Sequence, residues 1–255
     1  MKINNTTVMV TGGASGLGEA CVRCFAGEGA NVAILDMNTE AGESLAREIG
    51  KKAIFFKTDV SNEQNVKAAI DAIMAAFGSI HVAINCAGIV IPSKVLIKGE
   101  PSSMDGFTKT IQVNLLGTMN VIRLASAKML QNTPNEDGEK GLVINTASIA
   151  AFEGQIGQAS YTASKAAIVG MTLPIAREFA DYGIRVNTIA PGLFETPMMA
   201  SLPEKVKAAL VQMVPFPKRL GKPSEFALLA KHIMENPVMN GETIRLDAAI
   251  RMSGR

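Results

Sequence analysis

Apolar residues follow two rhythms along this chain. Short β-rich runs end in small or polar residues, and each is followed by a longer stretch with apolar positions three and four apart. The first run, 6–11 (T-T-V-M-V-T), leads into a glycine-rich turn and then a helical pattern as far as Glu28. Further strands are predicted over 31–35, 53–57, 81–85, 142–147, 184–190 and 243–246. Helices are predicted over 39–49, 62–77, 104–131, 160–182 and 223–235. Pro174 predicts a kink or wide turn inside the run 160–182, and Gly183 a cap at its end. Two stretches break the rhythm. Residues 89–103 form a long irregular connection, and 132–140 (N-T-P-N-E-D-G-E-K) a polar surface excursion. The segment 198–216, rich in Met, Leu and Val, fits a packed amphipathic helix and an apolar lid over a substrate equally well.

Strands alternating with helices predict an α/β fold. The expected architecture is one doubly wound (Rossmann) parallel sheet of seven strands with helices on both faces, a single domain over 1–255 that includes the lid at 193–221. Asp36, Asp59, Cys86, Ser148 and Pro191 then fall at the carboxyl ends of strands, where such sheets bind ligands.

Composition narrows the class. The chain has 255 residues, 47% hydrophobic and 19% charged, with a formal net charge of +2. That balance gives no electrostatic reason to expect nucleic acid or membrane partners, and no apolar run reaches the ~18 residues of a membrane span. The polar start, 1–7, has no signal or transit character, so a cytoplasmic location is expected. Three cysteines without framework spacing fit a reducing compartment. Cys21 and Cys24 form a C-x-x-C, read here as two small apolar helix residues. His81 and His232 are read as structural, and no metal site is expected.

The candidate chemistry begins at the first strand–helix junction, Gly12-Gly13-Ala14-Ser15-Gly16-Leu17-Gly18. Glycines there allow a tight turn and close approach of backbone to a pyrophosphate at a helix N-terminus. Asp36 follows about 20 residues on, where a carboxylate accepts hydrogen bonds from an adenosine ribose and repels a 2′-phosphate. No Lys or Arg lies between Thr11 and Ala20, so NAD is expected rather than NADP. Asp59 stands where an adenine amino group could be met, and the small residues Cys86-Ala87-Gly88 after Asn85 let backbone approach a ribose or nicotinamide. Tyr161 and Lys165 share a helix face at i and i+4, with Ser148 upstream. An ammonium there would lower the tyrosine pKa, allowing proton exchange with an alcohol or carbonyl, and a serine hydroxyl opposite would orient the same oxygen. Y-x-x-x-K alone arises by chance about one time in eight, so the pair gains weight only from the upstream cofactor site. Asn114 sits mid-helix without propensity support, which points to a hydrogen-bonding task or to an exposed position.

Taken in order, these residues resemble the short-chain dehydrogenase/reductase family along essentially the whole chain. The likeness lies in Thr11 to Gly18, the N-x-A-G segment at 85–88, the set Asn114, Ser148, Tyr161 and Lys165, and Pro191-Gly192. Within the family, the nearest likeness is to the type-2 3-hydroxyacyl-CoA dehydrogenases, also described as short-chain hydroxyacyl-CoA or hydroxysteroid dehydrogenases. It is carried by N-C-A-G-I at Asn85, I-N-T-A-S-I-A-A-F-E-G-Q-I-G-Q from Ile144, S-L-P-E-K-V from Ser201 and N-G-E-T-I-R-L-D from Asn240. Glu195 departs from that group, adding an acid where its members usually carry a small residue, and the insert 89–103 matches theirs in position more than in sequence.

The resemblance implies an NAD-dependent oxidoreductase interconverting 3-hydroxyacyl-CoA and 3-oxoacyl-CoA, in a homotetramer. It implies a catalytic set of Asn114, Ser148, Tyr161 and Lys165, with Lys165 also bonding the nicotinamide ribose. It implies cofactor contacts from Gly12, Ser15, Gly16, Leu17, Gly18, Asp36, Asp59, Val60, Asn85, Cys86, Ala87, Gly88, Pro191, Gly192, Phe194 and Thr196. Substrate contacts would come from Ser148, Tyr161 and Gln155, the last on the thioester carbonyl. Lys94, Lys98, Lys205 and Lys207 could meet coenzyme A phosphates, although any one of them is more readily a solvated surface lysine. Two other functions compete: a dehydrogenase of steroid-like or other apolar alcohols, and a dinucleotide-binding regulator without turnover. The second has no need of Tyr161 and Lys165 beneath Ser148.

Overall fold

The computed structural model describes residues 1–200 and 203–254. Among these residues the strands are β1 (Thr7–Thr11), β2 (Asn31–Asp36), β3 (Ala53–Lys57), β4 (Val82–Asn85), β5 (Leu96–Ile97), β6 (Glu100–Pro101), β7 (Gly141–Thr146), β8 (Ile184–Pro191) and β9 (Thr243–Leu246). The helices are α1 (Gly16–Gly27), α2 (Thr39–Ile49), α3 (Glu63–Phe77), α4 (Asp105–Ile111), α5 (Gly117–Met129), α6 (Ala159–Phe179), α7 (Pro197–Ala200), α8 (Glu204–Gln212) and α9 (Pro223–Glu235). Seven strands form one parallel sheet, as the alternation predicts, and their order is β3-β2-β1-β4-β7-β8-β9.

Side-chain alternation explains how both faces are covered. Val8, Val10, Val32, Ile34, Val82 and Ile84 point to one side, where they meet Val22 and Phe25 of α1, Leu45 of α2 and Phe226 and Ile233 of α9. Met9, Ala33, Leu35, Ala83 and Val143 point to the other, against Val66 and Ile70 of α3, Ile122 of α5 and Ile175 of α6. Strands buried on both faces are largely apolar, which is why β1, β4 and β7 read as near-continuous runs, whereas β8 carries buried Arg185, Asn187 and Thr188, each with hydrogen-bond partners. Asn38 and Asn62 start α2 and α3 by accepting the Ala41 and Asn65 N–H groups.

Four local expectations need correction. The helix predicted over 104–131 is α4 and α5 joined by a π turn, Gln112–Leu116. The connection 89–103 is not wholly irregular: it carries the exposed hairpin β5–β6, turned at Lys98 and Gly99, both with positive φ. Pro174 neither ends α6 nor opens a wide turn in it. The carbonyl that loses its intrahelical donor belongs to Gly170, which is exposed to water. The excursion 132–140 is not simply surface. Asn132 and Glu139 are buried, and Glu139 takes Arg185 Nε at 2.8 Å and an Arg185 terminal nitrogen at 2.7 Å. Burying that guanidinium is offset by carbonyls of Ile233, Met234 and Met239 at 2.8, 3.0 and 2.8 Å.

The segment 198–216 divides into the end of α7 and α8, with Ser201 and Leu202 of the expected lid outside the described residues. Among the described residues no helix is long and apolar enough to cross a membrane.

Candidate active site

The strand order reverses between β1 and β4, and this is where a crevice opens at the carboxyl edge of such a sheet. The glycine turn and the 85–88 turn meet over it. Gly12 has φ +62°, and a Cβ there would stand 2.8 Å from the Ala87 nitrogen, so only glycine lets the two backbones approach. Cys86 N–H donates to the Thr11 carbonyl at 3.1 Å. Asp36 accepts the Ala14 N–H at 3.0 Å and the Asn38 N–H at 2.9 Å, which draws its carboxylate to the rim of the glycine turn. Ser15 occupies the N-cap of α1, yet its side chain makes no capping bond. Gly16, Leu17 and Gly18 form the first turn of that helix, whose leading N–H groups point at the crevice. These donors and the Asp36 carboxylate fit a dinucleotide.

The residues expected to transfer the proton gather beside this crevice. Ser148 lies two residues past the end of β7 and caps a short 3₁₀ turn, accepting the Ala150 N–H at 3.1 Å. Its hydroxyl is also close enough to Tyr161 to pull the phenol's pKa downward. Lys165, one helical turn on, is buried and donates from Nζ to the Thr146 carbonyl at 2.7 Å, 5.7 Å from the centre of the Tyr161 ring. Asn114 is fully buried on the π turn, where the extra residue in the turn re-aims the helix face. It accepts the Ile89 N–H at 2.8 Å and donates to the Ile89 carbonyl at 2.9 Å and to Ser164 Oγ at 3.1 Å. A Cβ at Gly88 would lie 3.3 Å from Asn114 Oδ1 and 3.6 Å from Lys165 Nζ, so the 85–88 turn adjoins both.

The electrostatics correct one expectation. Burial raises the Tyr161 phenol above its ordinary value, with the Ser148 hydroxyl pulling the other way, and Lys165 does not overcome that burial. Lys165 is itself lowered to about 8 by burial, with Cys86 opposing.

The remaining predicted residues fall as follows. Asp59 ends the β3 connection, where the Ser61 hydroxyl at 2.6 Å holds its carboxyl below the usual range. The Val60 carbonyl accepts from Asn120 at 3.1 Å. The Asn85 side chain is buried and donates to Asn145 at 2.9 Å, so it does not line the crevice, and only its backbone lies near. Cys21 is buried against Cys86 and does not pair with Cys24, and all three thiols are free. His81 accepts the Thr7 N–H at 3.0 Å and His232 meets Asn236, both in structural roles. Pro191 ends β8, and Gly192 N–H donates to the Leu246 carbonyl at 2.9 Å. Phe194 is buried, while Thr196 caps α7 and lies against Gly16. Gln155 donates to the Ser253 carbonyl at 3.2 Å and accepts from Gln158 at 3.3 Å. Lys207 pairs with Glu204.

The family model described as short chain dehydrogenase matches residues 6–207. The chain belongs to the short-chain dehydrogenase family. It is 52% identical over 253 residues to 3-hydroxyacyl-CoA dehydrogenase type-2 of Homo sapiens, covering 98% of this chain and 97% of the human one. It is 50% identical over 252 residues to the protein of that name from Drosophila melanogaster, covering 98% and 99%. A crystal structure of 3-hydroxyacyl-CoA dehydrogenase type-2 from Mycobacterium avium superposes with a TM-score of 0.94 at 43% identity, covering 100% of both chains.

Two recesses open on this short-chain dehydrogenase, neither of them lined by Ser148, Tyr161 or Lys165. One, of ≈ 790 Å³, lies between α1 and the α7 segment and is lined by Gly16, Glu19, Glu195, Thr196 and Leu220. The other, of ≈ 430 Å³, lies between Ser93, Lys94 and Val95 on one side and Gln155 and Ile156 on the other. Sequence reasoning missed Ser164 and Thr146, which hold Asn114 and Lys165 in place. Ser164 carried a signal, since it precedes Lys165 within the Y-x-x-S-K run. Thr146 acts through its carbonyl, which no side-chain pattern reveals.

Proposed function

We propose that this protein is an NAD-dependent oxidoreductase interconverting 3-hydroxyacyl-CoA and 3-oxoacyl-CoA. The single observation that carries the chemistry is the Ser148 hydroxyl facing Tyr161, with Lys165 one turn away beside the crevice. The substrate class rests on the similarity to relatives named for that activity, 52% and 50% identical.

Ser148 and Tyr161 hold the substrate oxygen between their hydroxyls. In reduction the Tyr161 phenol, which burial keeps protonated, gives its proton to the carbonyl, and in oxidation its phenolate takes the alcohol proton. NAD supplies the hydride acceptor. Lys165 keeps positive charge near the phenol and bonds the nicotinamide ribose, while Asn114 steadies the lysine side of the site through a water and passes the proton outward. Phe194 and Thr196 hold the carboxamide. Asp36 at the end of β2 and the lack of any Lys or Arg between Thr11 and Ala20 support NAD over NADP. Asp59 and Val60 meet adenine. Gln155 and Lys94 face the ≈ 430 Å³ recess, which supports a thioester carbonyl near Gln155. The lid over the substrate runs from 193 to 221. Three free thiols support a reducing, cytoplasmic compartment. Leu116, Met119, Leu173 and Tyr182 are exposed on or beside the central helices α5 and α6, which supports a homotetramer built through them.

A second reading, a dehydrogenase of apolar secondary alcohols, is favoured by the exposed Val95, Leu96, Ile97 and Ile156 around the same recess. NADH oxidation with acetoacetyl-CoA, free acetoacetate and a steroid ketone separates the two. Turnover confined to the thioester is expected. Turnover of the steroid ketone with an inert thioester would transfer the assignment to the second reading.

A further inference from the structure

Glu153 lies five residues after Ser148 and two before Gln155, and it is the point where distant parts of the chain converge. Arg245 of β9 reaches it with two nitrogens, at 2.8 Å to Oε1 and 3.3 Å to Oε2. Met252 N–H donates to Oε2 at 2.9 Å, and Arg251 Nε stands 3.4 Å from Oε1. Asp247 completes the group, accepting from Arg245 Nε at 2.7 Å and from Arg251 at 3.0 Å. The arrangement folds residues 248–254 back along the Ser148 loop as a strap. Gln155 Nε2 and the Ile156 N–H then donate to carbonyls of the strap, Ser253 and Gly254, each at 3.2 Å.

The strap is strained, so something must hold it. Ala248 and Ala249 take φ +51° and +62°, a left-handed backbone that is unfavourable for residues with a Cβ. Asp247 braces the turn by accepting the Ala249 N–H at 3.0 Å. Beyond it, Ile250 is fully buried against Ile149 of the Ser148 loop and Val214 after α8, with Leu193 packed beside them. One short segment thus contacts the serine loop, the turn after β8 and the end of the lid region.

We infer that Glu153 is a positioning residue: by clamping the strap it fixes the loop that carries Gln155 and so sets productive binding of the acyl thioester. This rests on the substrate reading proposed above. Glu153 touches neither cofactor nor reacting atoms. Its loss should move the substrate loop and leave the cofactor turn, on the other side of the crevice, in place.

The test compares Glu153→Gln, Glu153→Asp and wild type in full-length protein. Expected for Glu153→Gln is a rise of about tenfold in KM for acetoacetyl-CoA, a change of less than about threefold in kcat, and an unchanged Kd for NADH. Glu153→Asp, which keeps the charge, should recover part of the KM. Hydrogen exchange of the Ile156 and Met252 amides should quicken in Glu153→Gln. An unchanged KM, or equal losses of kcat and NADH affinity, would overturn the inference. If wild type fails to turn over the thioester, the substrate reading falls on its own. Hydrogen exchange then judges the clamp, and unchanged protection of Ile156 and Met252 refutes it.

Discussion

Lys165 is tied to Thr146 by a 2.7 Å hydrogen bond from its ammonium to the strand-end carbonyl. The Thr146 hydroxyl in turn donates to Cys86 Sγ at 3.5 Å. One helix side chain therefore joins the ends of β7 and β4 beneath the crevice, and it does so as a buried cation.

Burial lowers Lys165 to about 8, below the ~10.4 of an unfolded lysine. Between those two values the unfolded chain binds the extra proton, so stability rises with pH across this window and the penalty is complete below it. Against Lys165→Met, wild type should gain of the order of 1–3 kcal/mol between pH 7 and pH 10 in paired urea unfolding. A constant difference would show that the lysine titrates normally.

Tyr161→Phe keeps the ring and its packing and removes the hydroxyl that faces Ser148. Turnover should fall by about a thousandfold or more, while NADH binding, followed by its fluorescence, persists. Retained turnover would move the proton transfer elsewhere.

Asp36 bridges the Ala14 and Asn38 N–H groups at the end of β2. Wild type should favour NADH over NADPH by at least about tenfold in kcat/KM, and Asp36→Ser should narrow that ratio. A preference for NADPH in wild type would contradict the role given to this carboxylate.

Glu139 and Arg185 are 5% and 8% exposed, whereas Glu225 and Arg219 are 38% and 40% exposed. Breaking the buried pair with Glu139→Ala leaves a guanidinium without its anion and should cost about 3–5 kcal/mol. Glu225→Ala should cost about 1–2 kcal/mol in the same denaturant series, most of it from losing its bond to the Lys222 N–H at the start of α9, because water screens the ion pair.

Ala248 and Ala249 both carry positive φ. Ala248→Gly should raise stability by about 0.5–1 kcal/mol, read as a higher Tm, because removing the Cβ relieves the left-handed strain. A lower Tm would mean that packing of the Ala248 methyl beside Ile250 outweighs the backbone term.

The seven-stranded parallel sheet was legible because strands buried on both faces are largely apolar and alternate with helical runs, and because turns such as Gly12–Gly18 carry residues that their geometry demands; the spatial order of the strands came only with the fold. The positions of Asp36, Ser148 and Tyr161 near strand or helix ends followed from that alternation. The π turn was not legible: Asn114 looked anomalous in a helix, but nothing local distinguished one extra residue in a turn from a regular one. Glu139 looked like part of a surface excursion, because its partner Arg185 is 46 residues away. Glu153 looked unremarkable for the same reason, with partners 92 and 99 residues on.

What the sequence determined by itself was the set of elements and the chemistry that each delivers to the carboxyl edge of the sheet. These depend on periodicity, turn residues and side-chain identity, all of them local. The tertiary structure decided which charges are buried and which groups meet. It raised the Tyr161 pKa where the i, i+4 spacing pointed to a lower one, anchored Lys165 on a backbone carbonyl, and drew 248–254 onto the Ser148 loop. Desolvation and long-range ion pairing depend on what surrounds a group in space, and that is set only when distant segments pack together.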